Sequence, residues 1–103
     1  MSRAIYRYVF AEAIPAEEAE ATLVLALLAA ESLHGEAQVR LDGAHHFDPD
    51  RRACVLDAGT PAGRDLNRLF VGFLRRAFGE EAFTVERVTD TSTHAYPATT
   101  VGG

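Results

Sequence analysis

Residues 14–35 read IPAEEAEATLVLALLAAESLHG, a helix with both ends written into it. Pro15 suits the first turn, where its missing N–H would have no intrahelical partner. Glu17, Glu18 and Glu20 place negative charge at the positive end of the helix dipole. His34 falls in the last turn, and Gly35 is suited to the left-handed conformation that closes a helix. Between these ends residues 23–30, LVLALLAA, are apolar without interruption. One buried stripe does not account for such a run. Leu23, Leu27 and Ala30 make one stripe, Val24 and Leu28 a second, and Leu25 and Ala29 point in a third direction. The helix is therefore expected to be covered on more than one side, with a protein partner or a second copy supplying part of the cover.

On the N-terminal side, residues 4–11 (AIYRYVFA) read as a strand rich in aromatic and β-branched residues. Alternation puts Tyr6, Tyr8 and Phe10 on one face, assigned to the core, and Ile5, Arg7 and Val9 on the other. On the C-terminal side, residues 36–47 read as a second strand with Ala37, Val39 and Leu41 inward and Gln38, Arg40 and Asp42 outward. Gly43 marks a bulge or bend in it. Asp48-Pro49-Asp50-Arg51 is turn chemistry, and residues 52–58 return as a third strand, closing a hairpin. Thr60 and Pro61 cap and open a second helix. Its stripe of Leu66, Leu69, Phe70, Phe73 and Ala77 has helical spacing, Arg75 and Arg76 occupy its last turn, and Gly79 ends it. Residues 82–88 form the last strand.

The order β-α-β-β-α-β predicts an α+β domain over residues 1–88 of the ferredoxin-like kind. It comprises a four-stranded antiparallel sheet, order fourth–first–third–second, with two helices on one face. Residues 89–103 (TDTSTHAYPATTVGG) change composition and read as a tail, disordered in isolation. The length of 103 residues fits one domain, burying roughly 65% of the unfolded chain's surface.

Composition narrows function mainly by exclusion. A net charge of −5 argues against nucleic acid, which selects for a basic patch. The apolar run is about half of the ~20 residues that span a bilayer, so no membrane partner is expected. A single cysteine, Cys54, makes no internal disulfide and is expected as a buried thiol. Together with an N-terminus that lacks a signal-peptide core, it makes a cytoplasmic location the default. The eighteen alanines, and arginine in place of every lysine, read as coding bias.

The candidate sites are sparse. The open sheet face carries Ile5, Val9 and Val55 among charges, with Arg7 expected between Glu86 and Asp57, and Arg40 near Asp57. This face either stays solvated or packs on a second copy. Residues 12–36 hold six glutamates and no arginine, whereas the second helix holds Arg64, Arg68, Arg75 and Arg76 against Asp65. The two helices can pair these charges within the chain or between copies. His46, Asp48 and Asp50, beside His45, are the metal-like cluster. Adjacent strand residues point to opposite faces, so His45 and His46 do not share an ion. His94 could join them only through the tail. Gly59, Thr60, Gly63 and Arg64 lie between strand and helix, where free N–H groups can hold an anion. They lack the lysine of a phosphate loop. No cofactor is implied.

The terminal Gly102-Gly103 resembles the end of ubiquitin-like and sulfur-carrier proteins, which implies activation of the terminal carboxyl. Those proteins begin with a hairpin, and this chain begins strand–helix. Tyr6, Tyr8 and Phe10 resemble the stacking aromatics of RNA-binding domains of this architecture, which lie on the open sheet face. Here they are assigned inward. The expected function is a non-enzymatic interaction or assembly module working through Val24, Leu25, Leu28, the open sheet face, the Arg64–Arg68 surface and the tail, which would order on a partner. The alternative is a small-molecule or anion site at a dimer interface, beside the hairpin or the 59–64 turn.

Overall fold

The computed structural model describes residues 4–88. The tail, with His94 and Gly102-Gly103, lies outside the described residues. Alternation along the first strand, β1 (Ile5–Phe10), buries Tyr8 and Phe10 and leaves Arg7 exposed. Two strands flank β1, both antiparallel: β3 (Ala53–Asp57) on one side and β4 (Phe83–Val88) on the other. The hairpin partner β2 (His45–Asp48) forms the far edge beside β3, giving the order β2-β3-β1-β4 that the sequence predicts. Asp48 starts the hairpin turn, its carboxylate accepting from Arg51 N at 3.3 Å.

Helix α1 (Ala16–His34) and helix α3 (Pro61–Phe78) pack on each other and on the sheet face that carries Tyr8, Phe10, Cys54 and Leu56. As predicted, Thr60 caps α3, accepting from Gly63 N at 3.0 Å, with Pro61 as the first helical residue. His34 Nε2 lies 2.8 Å from Asp65 Oδ2. This brings the last turn of α1 beside the N-terminal part of α3, and the two helices, packed along each other, run antiparallel. A 3-10 turn, Glu80–Ala82, leads from Gly79 into β4.

Residues 36–42 correct the sequence reading: they form a helix, α2 (Glu36–Asp42), and no strand. The segment EAQVRLD alternates apolar and polar residues, which suits a strand, but its charges are spaced for a helix. Arg40 donates to Glu36 at 2.5 Å and Gln38 donates to Asp42, both four residues apart. Only Val39 reaches the core, while Ala37 and Leu41 are exposed. Gly43 ends this helix, its N–H bonding Val39 O at 2.7 Å, and strand pairing starts two residues later. Arg40 and Gln38 accordingly leave the open sheet face to which alternation assigned them.

Arg52 holds the turn between β2 and β3 against the segment that leads into α1. It has a φ of 53°, uncommon for a residue with a side chain. Its guanidinium donates to Ala11 O at 2.6 Å and to Ile14 O. Gly35, between α1 and α2, has φ 88° and ψ 149°, a combination essentially confined to glycine. Gly35→Ala is therefore expected to destabilise the fold by about 1–3 kcal/mol, read as a lower denaturation midpoint in urea at unchanged slope. An unchanged midpoint would show that the α1–α2 corner adapts to a side chain.

Candidate interaction surface

Helix α1 buries a narrow stripe made largely of small residues. Ala19, Leu23, Ala26 and Ala30 are almost wholly enclosed, and Thr22 with them, its hydroxyl donating to Glu18 O at 2.9 Å. Leu27 is half-buried against the same core. The larger apolar residues of the other stripes point away. Val24, Leu25 and Leu28 are 49%, 59% and 54% exposed, and Leu33 is 65% exposed. The second stripe thus keeps about half of its surface open, although it has the apolar character to be covered. Leu33 is an addition that the sequence reading missed. Its signal is spacing, since Leu25, Ala29 and Leu33 stand four residues apart and run down one line of the helix.

The charged surfaces of α1 and α3 are also left without each other. Among the described residues no ion pair joins a glutamate of α1 to an arginine of α3; the link between the two helices is His34–Asp65. Arg68 approaches Asp65 of its own helix at 3.9 Å, mostly exposed. Arg64, Arg68 and Arg75 are exposed and recur at helical spacing, so α3 presents a basic line to the outside. Gly72 stands in mid-course of this helix. A Cβ placed there would meet nothing within 4 Å, yet glycine costs a helix interior roughly 0.5–1 kcal/mol relative to alanine. Crowding within the single chain does not call for a glycine at that position.

The open sheet face offers less. Register sets Arg7 opposite Glu86 on one side, as expected, but opposite Val55 on the other, with Asp57 facing Ile5. Ile5, Val9 and Val55 are each half-buried by their neighbours, and Ala53 is buried. These residues form no large exposed apolar patch comparable to that on α1.

The remaining candidates are dispersed or engaged. His45 faces Leu56 and His46 faces Val55, so the two rings lie on opposite faces of the sheet. Among the described residues no group of three or more His, Cys, Asp or Glu side chains could hold a metal ion. In the 59–64 turn, Gly59 N donates to Asp57 at 2.9 Å and Gly63 N donates to Thr60. The Thr60 hydroxyl donates to Asp42 O at 3.0 Å, tying the end of α2 to the start of α3. Cys54 is buried, and its burial pushes the thiol up to about 12. A cleft of about 390 Å³ lies beside the hairpin, between Leu27 and Glu31 of α1, Val39 and Arg40 of α2, and Gly43 to His45. No described helix is long and apolar enough to cross a membrane.

No protein-family model matches the chain, and neither the curated proteins nor the solved structures contain a match to it.

The bond from His34 holds the Asp65 carboxyl below its ordinary value of 3.8. A depressed carboxylate adds stability above its unfolded value and loses it as pH falls through the folded one. Asp65→Asn is thus expected to lower stability at neutral pH and to flatten its decline on acidification below 3.8. Urea midpoints across a pH series read this directly. Coincident curves for the two proteins would show that the contact contributes nothing.

Proposed function

We propose that this chain is a small non-enzymatic interaction or assembly module of ferredoxin-like architecture. It works by having the outer face of α1 covered by another protein surface, through self-association or docking in a larger complex. One observation carries this reading: on the most apolar helix of the chain, the large side chains Val24, Leu25, Leu28 and Leu33 face out while alanines face in. Contiguous exposed apolar surface marks interaction sites, whereas scattered single residues do not. The ferredoxin-like assignment is supported by the strand order and by α1 and α3 lying on one sheet face. The additional helix α2 departs from that plan.

Magnitude indicates what else such an interface requires. Burying a leucine or valine fully is worth about 1.5–3 kcal/mol, so covering the exposed halves of four such side chains supplies about 3–6 kcal/mol. Association costs roughly 4–15 kcal/mol in lost translational and rotational freedom. The apolar patch needs polar or charged contacts around it, and Glu17, Glu20 and Glu31 border it on α1.

A second reading rests on the cleft beside the hairpin. Its apolar lining from Leu27 and Val39, with Glu31, Arg40 and His45 around it, suits a small polar molecule with an apolar part. Such a ligand would raise the melting temperature by mass action.

Light scattering over a concentration range tests the first reading. A mass above the 11.2 kDa of one chain is expected, reduced by Leu25→Arg without loss of helix content. A dimer unmoved by Leu25→Arg would remove the α1 face as the working surface. A single-chain mass at every concentration would end the self-association form of the proposal.

A further inference from the structure

The exposed apolar face of α1 and the basic line of α3 look outward from the same helical layer, and each lacks what the other offers. Along α1, Glu20, Val24, Leu28 and Glu31 share one side of the helix, reading acidic, apolar, apolar, acidic. Along α3, Arg64, Arg68, Gly72 and Arg75 share one side with the same spacing, reading basic, basic, flat, basic. The pair His34–Asp65 fixes the level of one helix against the other. Counting away from that pair sets Glu31 level with Arg68, Leu28 level with Val71 and Gly72, and Val24 level with Arg75. Glu20 stands about one turn beyond Arg75, within reach of its side chain and of Arg76.

Resting on the assembly reading above, we infer that the face of α1 is covered by α3 of a second copy of this chain. The two copies are related by a two-fold axis that runs parallel to the helices. That axis keeps the second copy's α1 at the level of the first copy's and lays it over α3 in antiparallel sense. The second copy's Glu31 meets Arg68, its Glu20 meets Arg75 and Arg76, and its Leu28 settles over Gly72, where a Cβ would meet nothing within 4 Å beyond the adjoining turns of its own helix. Symmetry makes the same contact a second time, so the interface is closed and both faces are covered. Antiparallel dipoles add to the attraction. The other way to stack these layers, with the axis across the helices, sets α1 on α1 and α3 on α3. It places arginine against arginine and glutamate against glutamate, which costs affinity. Gly72 has the same explanation as the charges. A glycine that costs helix stability and relieves no crowding in the single chain leaves room for a side chain from outside.

Charge-reversed pairs separate the two geometries. One variant carries Glu20→Arg and Glu31→Arg, a second carries Arg68→Glu and Arg75→Glu, and sedimentation reads the mass of each. Each alone is expected to dimerise at least about tenfold more weakly than the natural chain, since it sets like charge on like. An equimolar mixture is expected to recover the dimer, because each variant then meets its complement at both contacts. If both variants dimerise alone as tightly as the natural chain, the α1–α3 pairing is overturned while the assembly reading survives on the Leu25→Arg result. Gly72→Leu leaves the charges unchanged and starts its side chain where a Cβ meets nothing within 4 Å beyond its own helix. It is expected to keep the helix content and melting temperature of the dissociated protein while weakening the dimer about tenfold or more. An intact dimer in Gly72→Leu overturns the pairing. A single-chain mass for the natural protein up to millimolar concentration overturns the second copy as occupant altogether.

Discussion

The ring of Tyr8 is the point at which every layer of this structure meets. It is fully enclosed, packed against Phe70 of α3 at 4.8 Å between centroids and near Phe10 and Phe83 within the sheet. A buried phenol must place its hydroxyl on a partner, and Asn67 of α3 accepts from it. Burial and the neighbouring Cys54 and Tyr6 push its ionisation up, so it stays a neutral donor. Strand β1 and helix α3 are thereby fixed to each other by apolar contact and one directional bond. The central position of β1 between β3 and β4 extends that constraint to the whole sheet.

This aromatic centre explains the character of α1. Tyr8, Phe10, Phe70, Leu66 and Leu74 already fill the space between sheet and helix layer. A third partner with large side chains would overfill it, and overpacking costs stability as cavities do. Helix α1 enters with Ala19, Ala26 and Ala30, and one leucine, Leu23. Leu27 packs against this core only in part, and Val24, Leu25, Leu28 and Leu33 stay outside it. The exposed face is a consequence of where the aromatic residues are placed, and the same geometry leaves α3 outwardly basic beside it.

Much of this was legible in the chain. Period-two alternation located β1 and β4, the Thr60-Pro61 signal located the start of α3, and the uninterrupted run at 23–30 located both α1 and its surplus. The assignment failed at residues 36–42. Over seven residues, strand alternation and a short helix with a single buried valine give similar patterns, and the decision comes from pairing far away in sequence. Asp57 N bonds Ala44 O at 2.9 Å, which sets β3 against residues 45–48 and frees the preceding segment to coil. Gly72 could not be weighed from sequence either. A glycine within a helix has meaning only once the space around it is known. Leu33 was overlooked because it lies beyond the apolar run, though on a line with Leu25.

Cys54 gives the molecule an internal clock. It is the only thiol in the chain, sits on β3 opposite both Tyr8 and Phe47, and is buried and held protonated. An alkylating reagent can reach it only when the second and third strands separate from the helices, so the rate of modification counts openings of the core one molecule at a time. A chain with one cysteine at its centre thus reports its own rare excursions without any engineered probe.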